Sequence, residues 1–403
     1  MPLLDRLSDR DCWESFYEYK DSLCCPKQFC KELREFIDSE GWLEVCRRIK
    51  SGEEFALPKR SVISKQDSRK KRVIYTYPKP ENTVLKLLTF LLLRRYDGIF
   101  PEGLYSFRPG RTAQQGFLGL ARTPGIGNMW SYKADISNYF NSVDISLLLP
   151  VLKDVTGDDP ELYGFLSSLL LEKRVTDKGQ IITDDKGIMA GTPTAAFYAN
   201  LFLCGLDEYF AGLGIPYARY SDDIILFTDT RAEAEEHAGF IHRFLSEKGL
   251  VINPDKESIT PPGGNWTFLG LSFCGGKTDI APASVSKLKA KMRRKTRALM
   301  RWQQRNGLAP ESAAKAFIRI FERKLFETRA DNELTWAYWY FPVITTDASL
   351  KVLDSYAQDC LRVILSGKHT KSRYNIRYSR LKELGYRSLV NEYYRSKRPQ
   401  TAE

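Results

Sequence analysis

Histidine is nearly missing from this chain, with three in 403 residues. Its eight cysteines (Cys12, Cys24, Cys25, Cys30, Cys46, Cys204, Cys274 and Cys360) show no paired Cys-x-x-Cys spacing. Cys24, Cys25 and Cys30 cluster, but no histidine stands nearby to complete a tetrahedral set. These absences argue against a structural zinc module and a disulfide framework, leaving buried free thiols as the expectation. Long apolar runs are absent too. The longest, near Leu85 to Leu93, contains Lys86 and ends at Arg94-Arg95, too short to span a bilayer. The opening MPLLDRLSDRDCWESFYEYK is charged and has no apolar stretch of signal-peptide length. A soluble protein of the reducing cytoplasm, with no membrane partner, is the expectation. No internal repeat or low-complexity segment stands out.

What is present is a foldable, basic chain. At 43% hydrophobic and 12% aromatic residues it can bury sizeable cores, and its length exceeds one ordinary domain. The formal charge of +11 favours a polyanionic partner, most simply nucleic acid, although a merely soluble basic protein has the same balance.

Patterning along the chain gives an α+β layout. Residues 1–60 read as short helices, with Leu33, Phe36, Ile37 and Trp42 spaced for one buried face. A basic stretch from Lys59 to Arg72 runs into the expected strand Val73-Ile74-Tyr75-Thr76-Tyr77, which Pro78 and Pro80 end. Residues 82–96 read as a helix, and Ser106 to Arg111 as a cationic loop or strand end. A strand is expected from Tyr132, then helices over Leu147–Leu152 and Leu162–Leu171. A glycine-bounded loop from Gly187 to Gly191 and an apolar helix over 194–210 follow. Two short strands flank a polar turn within Tyr217–Phe227, an amphipathic helix covers 231–249 with Phe240, Ile241, Phe244 and Leu245 inward, and Trp266–Phe273 reads as a strand pair. This order suits helices behind an antiparallel sheet. From Ala281 to Arg305 there are nine Lys or Arg residues and no acid. A domain boundary is expected near Pro282, with Trp302, Phe317, Phe321, Trp336 and Trp339 in the core of a helical remainder.

Three carboxylates stand out by context. Asp135 closes a strand, and Asp222 and Asp223 sit between the apolar segments Ala218-Arg219-Tyr220 and Ile224-Ile225-Leu226-Phe227. Adjacent acids beside apolar strands are costly unless compensated, and Mg²⁺ is a natural compensation. Alone, the pair reads better as a solvated acidic turn, because adjacent aspartates are common in loops.

The surroundings decide. Tyr220-Ser221-Asp222-Asp223 resembles the YxDD box of reverse transcriptases, and Asp135-Ile136-Ser137-Asn138-Tyr139-Phe140 resembles their first palm motif. Gly187 to Asn200, GIMAGTPTAAFYAN, resembles their nucleotide-binding loop and helix. Gly249 to Lys256, GLVINPDK, resembles the next motif, and Phe268-Leu269-Gly270 the primer-grip turn. Tyr105 to Arg111, YSFRPGR, resembles the fingers motif of bacterial members, including those of group II introns and retrons. Singly weak, these matches stand in family order over about residues 60–275.

The resemblance implies a right-hand polymerase. Residues 1–60 would form a helical extension, 61–130 the fingers, 131–280 a palm whose antiparallel sheet is backed by helices, and 281–403 an all-α thumb. It implies two Mg²⁺ ions held by Asp135, Asp222, Asp223 and the Ile136 carbonyl, activating a primer 3′-hydroxyl and stabilising pyrophosphate. Phe140 stands at the sugar gate, which favours dNTPs, and Lys71 and Arg72 near the triphosphate. Ala190 and Gly191 belong to the nucleotide loop, and Lys256 to proton donation toward pyrophosphate. Arg108 and Arg111 are placed on triphosphate or template, with Tyr220, Phe268, Leu269 and Gly270 near the primer. Lys289, Arg293 and Arg297, within Lys287–Arg305, suit a duplex backbone, and Tyr393 to Arg398 suits RNA. For Phe140 core packing, and for the cations a solvated face, are the plain alternatives.

One departure concerns the loop. Ala190 stands where the family usually carries Gln, and Ala195-Ala196 where it carries Ser-Pro, which puts processivity, fidelity or substrate choice in doubt. About 130 residues follow Gly270, room for a helical thumb, with no Cys/His-rich endonuclease pattern and no RNase H-like acidic set. Size and the AGTP variant resemble solitary, defence-associated bacterial reverse transcriptases. That resemblance implies an RNA template, in particular a companion non-coding RNA copied by rolling-circle synthesis into repeated cDNA in antiphage defence. A retron enzyme, an untemplated abortive-infection enzyme and an RNA-binding scaffold with a vestigial palm are the alternatives. An RNA-dependent RNA polymerase is disfavoured by Tyr220 and Phe140.

Overall fold

The computed structural model describes residues 2–23, 25–64, 71–326 and 335–398. The part of the basic stretch at 65–70, and Cys24, lie outside the described residues. The chain divides into two compact units, one of residues 1–23 and 28–262, the other of 24–27 and 263–403.

The first unit opens with helices α1 (Arg10–Ser22), α2 (Lys27–Asp38) and α3 (Leu43–Lys50). Their apolar faces meet at Trp13, Phe16, Leu33, Ile37 and Trp42, all buried, with Trp13 stacked on Trp42. Strands β1 (Lys59–Ser64) and β2 (Lys71–Thr76) pair antiparallel, then helix α4 (Lys79–Arg95) begins behind Pro78 with Pro80 in its first turn. Proline is tolerated there because the first helical N–H groups have no intrahelical partner. Of the leucines whose spacing predicts one buried side, Leu85, Leu88 and Leu92 are buried and Leu93 is only partly so. Val84, Leu87 and Leu91 are buried as well, so the helix is covered on more than one face. Helix α5 (Ala113–Ala121) starts at a Thr112–Gln115 capping box.

The central sheet follows. Its strands are β3 (Trp130–Asp135), β6 (Tyr217–Tyr220), β7 (Asp223–Thr228) and β8 (Ser258–Thr260), ordered β6-β7-β3-β8 and antiparallel throughout. Between β3 and β6 run α6 (Tyr139–Ser142), α7 (Ile145–Thr156), α8 (Pro160–Leu171), β4 (Arg174–Asp177), β5 (Gln180–Thr183), α9 (Ala195–Phe202) and α10 (Cys204–Leu213). Helix α11 (Arg231–Glu247) begins at a Thr230–Glu233 capping box and lies against β3 and β7 through Ala234, Ile241 and Leu245. Phe240 and Phe244 are only partly buried on its flank.

Three local expectations change. The single helix expected over 194–210 is two, broken at Leu203, whose φ of −109° and ψ of 12° leave the helical range. The basic stretch contributes β1, and the hairpin β4–β5 extends the sheet to the order β2-β1-β4-β5. That hairpin turns on Lys178 and Gly179, both at positive φ, the backbone of a mirror-image two-residue turn.

The second unit holds strands β9 (Trp266–Phe268), β10 (Leu271–Cys274) and β11 (Lys277–Ile280), ordered β11-β10-β9. Helices α12 (Pro282–Arg305), α13 (Pro310–Phe326), α14 (Trp336–Tyr340), α15 (Ala348–Ser366), α16 (Tyr378–Glu383) and α17 (Leu389–Lys397) complete it. α12, α13 and α15 pack on one another through Leu288, Met292, Phe317, Phe321, Leu353 and Leu361. Buried Asp354 caps α17, accepting from the Leu389 and Val390 amides and from Ser388 and Tyr386. The compositional change at Ala281 falls inside this unit, because β11 is stitched to 343–345: Thr278 Oγ1 donates to the Val343 carbonyl at 2.6 Å. Trp302 is not in the core; it is 42% exposed on the outer face of α12, while Phe317 and Phe321 are buried as expected. Among the described residues, no helix is long and apolar enough to cross a membrane.

Candidate active site

Strand pairing gathers the three carboxylates. Asp135 at the end of β3 stands opposite Asp223 at the start of β7, and Tyr220 closes the β6–β7 hairpin opposite Asp223. Asp222 lies in the two-residue turn, where its carbonyl accepts from the Ile136 N–H at 3.0 Å. Ser221, the other turn residue, sits at φ +60°, a conformation that disfavours a residue with a Cβ.

A buried polar network holds that turn from beneath. The Ser221 N–H donates to Ser106 Oγ at 2.9 Å, and its carbonyl accepts from Arg219 Nη1 at 3.1 Å. Ser106 Oγ donates to Asn200 Oδ1, and Asn200 Nδ2 donates back to the Ser106 carbonyl. Arg219 and Asp207 form an ion pair with both side chains fully buried, and Tyr217 donates its hydroxyl to the same Asp207. Residues 103–106 run beside β6, with Arg219 N–H donating to Gly103 O and Tyr105 N–H to Arg219 O. Gly103 allows this approach, because a Cβ there would stand 2.7 Å from the Tyr217 ring.

Asp222 and Asp223 are only partly compensated by the cations around them. Burial first, then the Asp135 carboxylate, pushes Asp222 above the ordinary carboxylate range. Burial pushes Asp223 up to about 6; Lys133 opposes this, while Asp222 and Asp135 add to it. Lys256 donates to Asp135 Oδ2 at 2.5 Å. Burial opposes the charge of Lys256, but the neighbouring Asp135, Asp223 and Asp222 more than offset it and hold its pKa up. Arg72 acts on Asp222 in the same favourable sense. Among the described residues, no three His, Cys, Asp or Glu side chains are gathered so as to hold a metal ion by themselves. The donors present are hard carboxylates on a half-open edge, which fits an ion that completes its shell from phosphate and water.

The remaining expected residues fall into three settings. Phe140 is half-buried beside Tyr139 and edge-on to Phe107, whose ring also faces Tyr220. Burial raises the Tyr220 phenol above its usual range. Ala190 and Gly191 lie against β2, with Tyr75 N–H donating to the Ala190 carbonyl at 2.8 Å, and Lys71 and Arg72 are exposed where β2 begins. Arg108 is a correction. It is 8% exposed, paired with Asp97 and donating to the carbonyls of Asp97, Pro101 and Leu104, so its guanidinium is spent inside the fold. Arg111 remains half-exposed, donating to the Glu102 carbonyl and lying over Tyr105.

In the second unit, Phe268 is buried and Leu269-Gly270 form the β9–β10 turn, both at positive φ. The Gly270 carbonyl accepts from Ala281 N–H, which ties the turn to the start of α12. Arg293 and Arg297 are exposed on α12, whereas Lys289 is half-buried over the Tyr356 ring. Lys133, Ser106, Asn200, Asp207 and Arg219 were not singled out by sequence reading. A cation two residues before Asp135 and an Arg just before Tyr220 were the available signals.

Comparison with known proteins agrees with this geometry. Residues 59–273, more than half of the chain, match the family described as reverse transcriptase (RNA-dependent DNA polymerase). The chain is 25% identical over 240 residues to the Retron Mx65 reverse transcriptase of Myxococcus xanthus, covering 56% of this chain and 52% of that protein. It is 26% identical over 190 residues to the Retron Ec86 reverse transcriptase of Escherichia coli, covering 46% and 55%. The chain thus spans about half the length of the curated relatives it matches. Apo telomerase from Candida tropicalis superposes with a TM-score of 0.48 at 11% identity, over 83% of this chain and 60% of that one, too slight a likeness to argue from. The ordered motifs, the carboxylates on adjoining strands and the family match lead to one assignment: this chain belongs to the reverse transcriptase family.

Proposed function

We propose that the chain is an RNA-directed DNA polymerase that adds dNTPs to a primer 3′-hydroxyl opposite an RNA template. The observation that carries this is the juxtaposition of Asp135 and Asp223 across β3–β7, with Asp222 in the adjoining turn. Asp135, Asp222, Asp223 and the Ile136 carbonyl would hold two Mg²⁺ ions. When bound, such ions supply an activated 3′-oxygen and charge stabilisation for the departing pyrophosphate. Burial of Asp222 and Asp223, with repulsion from the Asp135 carboxylate on both, supports a site made for cations.

The chain's own groups supply the rest. Phe140 closes the space beneath C2′, which excludes a 2′-hydroxyl. Lys71 and Arg72, exposed at the mouth of β2, attract the triphosphate. Lys256, held protonated beside Asp135, donates a proton to pyrophosphate as it leaves. Tyr220 packs near the primer end, and Arg111 touches template. In the second unit, the Phe268–Gly270 turn contacts primer, while Arg293 and Arg297, with Lys289, lie along the nucleic-acid backbone. We assign the helical extension (1–60, apart from 24–27), the fingers (61–130) and the palm up to residue 262 to the first unit, and the rest of the palm (263–280) with the thumb (281–403) to the second.

The template we favour is a companion non-coding RNA, copied by rolling-circle synthesis into repeated cDNA in antiphage defence. The AGTP variant at 190–193 supports it. A retron-type role is the second reading, favoured by the similarity to the Mx65 and Ec86 enzymes. Sequencing the nucleic acid that copurifies with the protein separates them. One defined structured RNA with tandem-repeat cDNA supports the first, and a single-copy cDNA joined to its RNA supports the second. Random untemplated DNA, or RNA with no DNA at all, overturns both.

A further inference from the structure

Asn141 follows Phe140 in α6, and its carboxamide is engaged at both ends. Nδ2 donates to the Val73 carbonyl of β2 at 3.2 Å, and Oδ1 accepts from the Ala190 N–H at 3.2 Å. The orientation of the amide is fixed by its partners, since a carbonyl only accepts and a backbone N–H only donates. One side chain therefore joins three segments: the turn that carries Phe140, the strand that begins with Lys71 and Arg72, and the loop 187–191.

The backbone around it shows how closely these segments meet. Ile188 N–H donates to the Phe140 carbonyl at 2.9 Å, and Tyr75 N–H to the Ala190 carbonyl at 2.8 Å. Ahead of the loop, Asp184 accepts from the Tyr75 hydroxyl at 2.8 Å and from Arg60 Nε at 2.9 Å. Two glycines permit the approach. Gly187 stands at φ +52°, and a Cβ on it would lie 2.5 Å from the Phe140 carbonyl oxygen. Gly191 stands at φ +102°, with its Cβ position 3.0 Å from the Tyr75 carbonyl oxygen. These bonds attach the loop to α6 and to β2 separately. Asn141 spans the angle between the two attachments.

We propose that Asn141 is a positioning residue that sets the register between β2 and the loop 187–191, and so the grip on the incoming nucleotide. The inference rests on the reading that this site takes dNTPs. Val73 is two residues from Lys71, about 7 Å along a strand, so slippage at its carbonyl moves the exposed cations. Phe140 is the adjacent residue, so the same slippage alters the wall beneath the sugar. Neither change touches Asp135, Asp222 or Asp223. Loss of Asn141 therefore weakens nucleotide binding and selectivity and leaves the chemical step in place. The backbone bonds on either side remain, and the side chain is half-buried, so its truncation leaves the fold intact.

The test uses the full chain with Mg²⁺ and an RNA template carrying a DNA primer, comparing wild type with Asn141→Ala and Asn141→Asp. Asn141→Ala is expected to raise the dNTP KM about ten-fold, about 1.4 kcal/mol. Its kcat should stay within about two-fold, as expected for lost ground-state binding. The preference for dNTP over the matching rNTP narrows, and the melting midpoint is unchanged. Asn141→Asp keeps an acceptor for Ala190 but turns a carboxylate oxygen toward the Val73 carbonyl, so its KM rises at least as far. An unmoved KM in Asn141→Ala overturns the inference. So does a uniform fall in kcat with a lowered melting midpoint in both variants, the mark of a merely structural role. Wild-type protein that incorporates no dNTP overturns the polymerase reading, and this inference with it. Wild-type activity with unmoved variants overturns the inference alone.

Discussion

Arg219 and Asp207 pair with both side chains fully buried, Nε to Oδ1 at 2.8 Å, and the same guanidinium donates to the carbonyl of Ser221 in the Tyr-Ser-Asp-Asp turn. The turn that carries Asp222 thus rests on a charge pair that water does not reach. Removing one member strands the other charge in the interior, which costs about 3–5 kcal/mol. Arg219→Met and Asp207→Asn should each lower stability in urea by about that amount. The double variant Arg219→Met/Asp207→Asn should lose less than the sum of the two. Additive losses would show that the pair is not coupled.

Phe140→Ala should open the space beneath the sugar. The ratio of dNTP to rNTP incorporation should fall about ten-fold or more, as expected when a steric wall rather than a hydrogen bond discriminates. Competition assays with matched nucleotide pairs measure it, and an unchanged ratio would return Phe140 to ordinary core packing.

Stability should depend on pH through Asp223. Its folded pKa is about 6, above the ordinary 3.8 of the unfolded chain. Between these values the native state binds more protons, so the stability of the metal-free protein falls as pH rises through that window and stays reduced above it. Mg²⁺ binds the deprotonated acid and offsets this. Added Mg²⁺ should therefore raise the melting midpoint more near pH 7 than near pH 5; equal shifts would contradict the pKa assignment.

Neutralising Arg293 and Arg297 together should reduce the salt slope of RNA binding by about 2, close to one unit per phosphate contact. Lys289 is half-buried over the ring of Tyr356, and its loss should change the slope less. An unchanged slope after the double neutralisation would make this a solvated helix face.

The carboxylates were legible because they interrupt short apolar runs that read as buried strands, and because the motifs stand in order. Tyr217–Phe227 folds as two strands around its turn, and Asp135 ends a strand opposite it. The hairpin at Arg174–Thr183 carried its own signal in Lys178-Gly179, a two-residue turn between β-prone segments. The break at Leu203 carried none. No Gly or Pro lies between Thr194 and Cys204, so tertiary packing sets it. Arg108 looked like a solvent-facing cation because sequence does not report burial; its partner Asp97 stands eleven residues earlier. Trp302 was assigned to a core by residue type alone, yet it shares the outer face of α12 with cations. Asn141 is one polar residue after an aromatic pair, and only the meeting of three segments gives it a role.

The most direct test is dNTP incorporation on a primed RNA template by wild type and by Asp222→Ala/Asp223→Ala, at equal protein and saturating Mg²⁺. The account predicts Mg²⁺-dependent extension by the wild type and none above background by the variant, with the variant still folded by its melting profile. Extension by the variant at the wild-type rate would contradict the assignment of the metal site to the Tyr220–Asp223 turn.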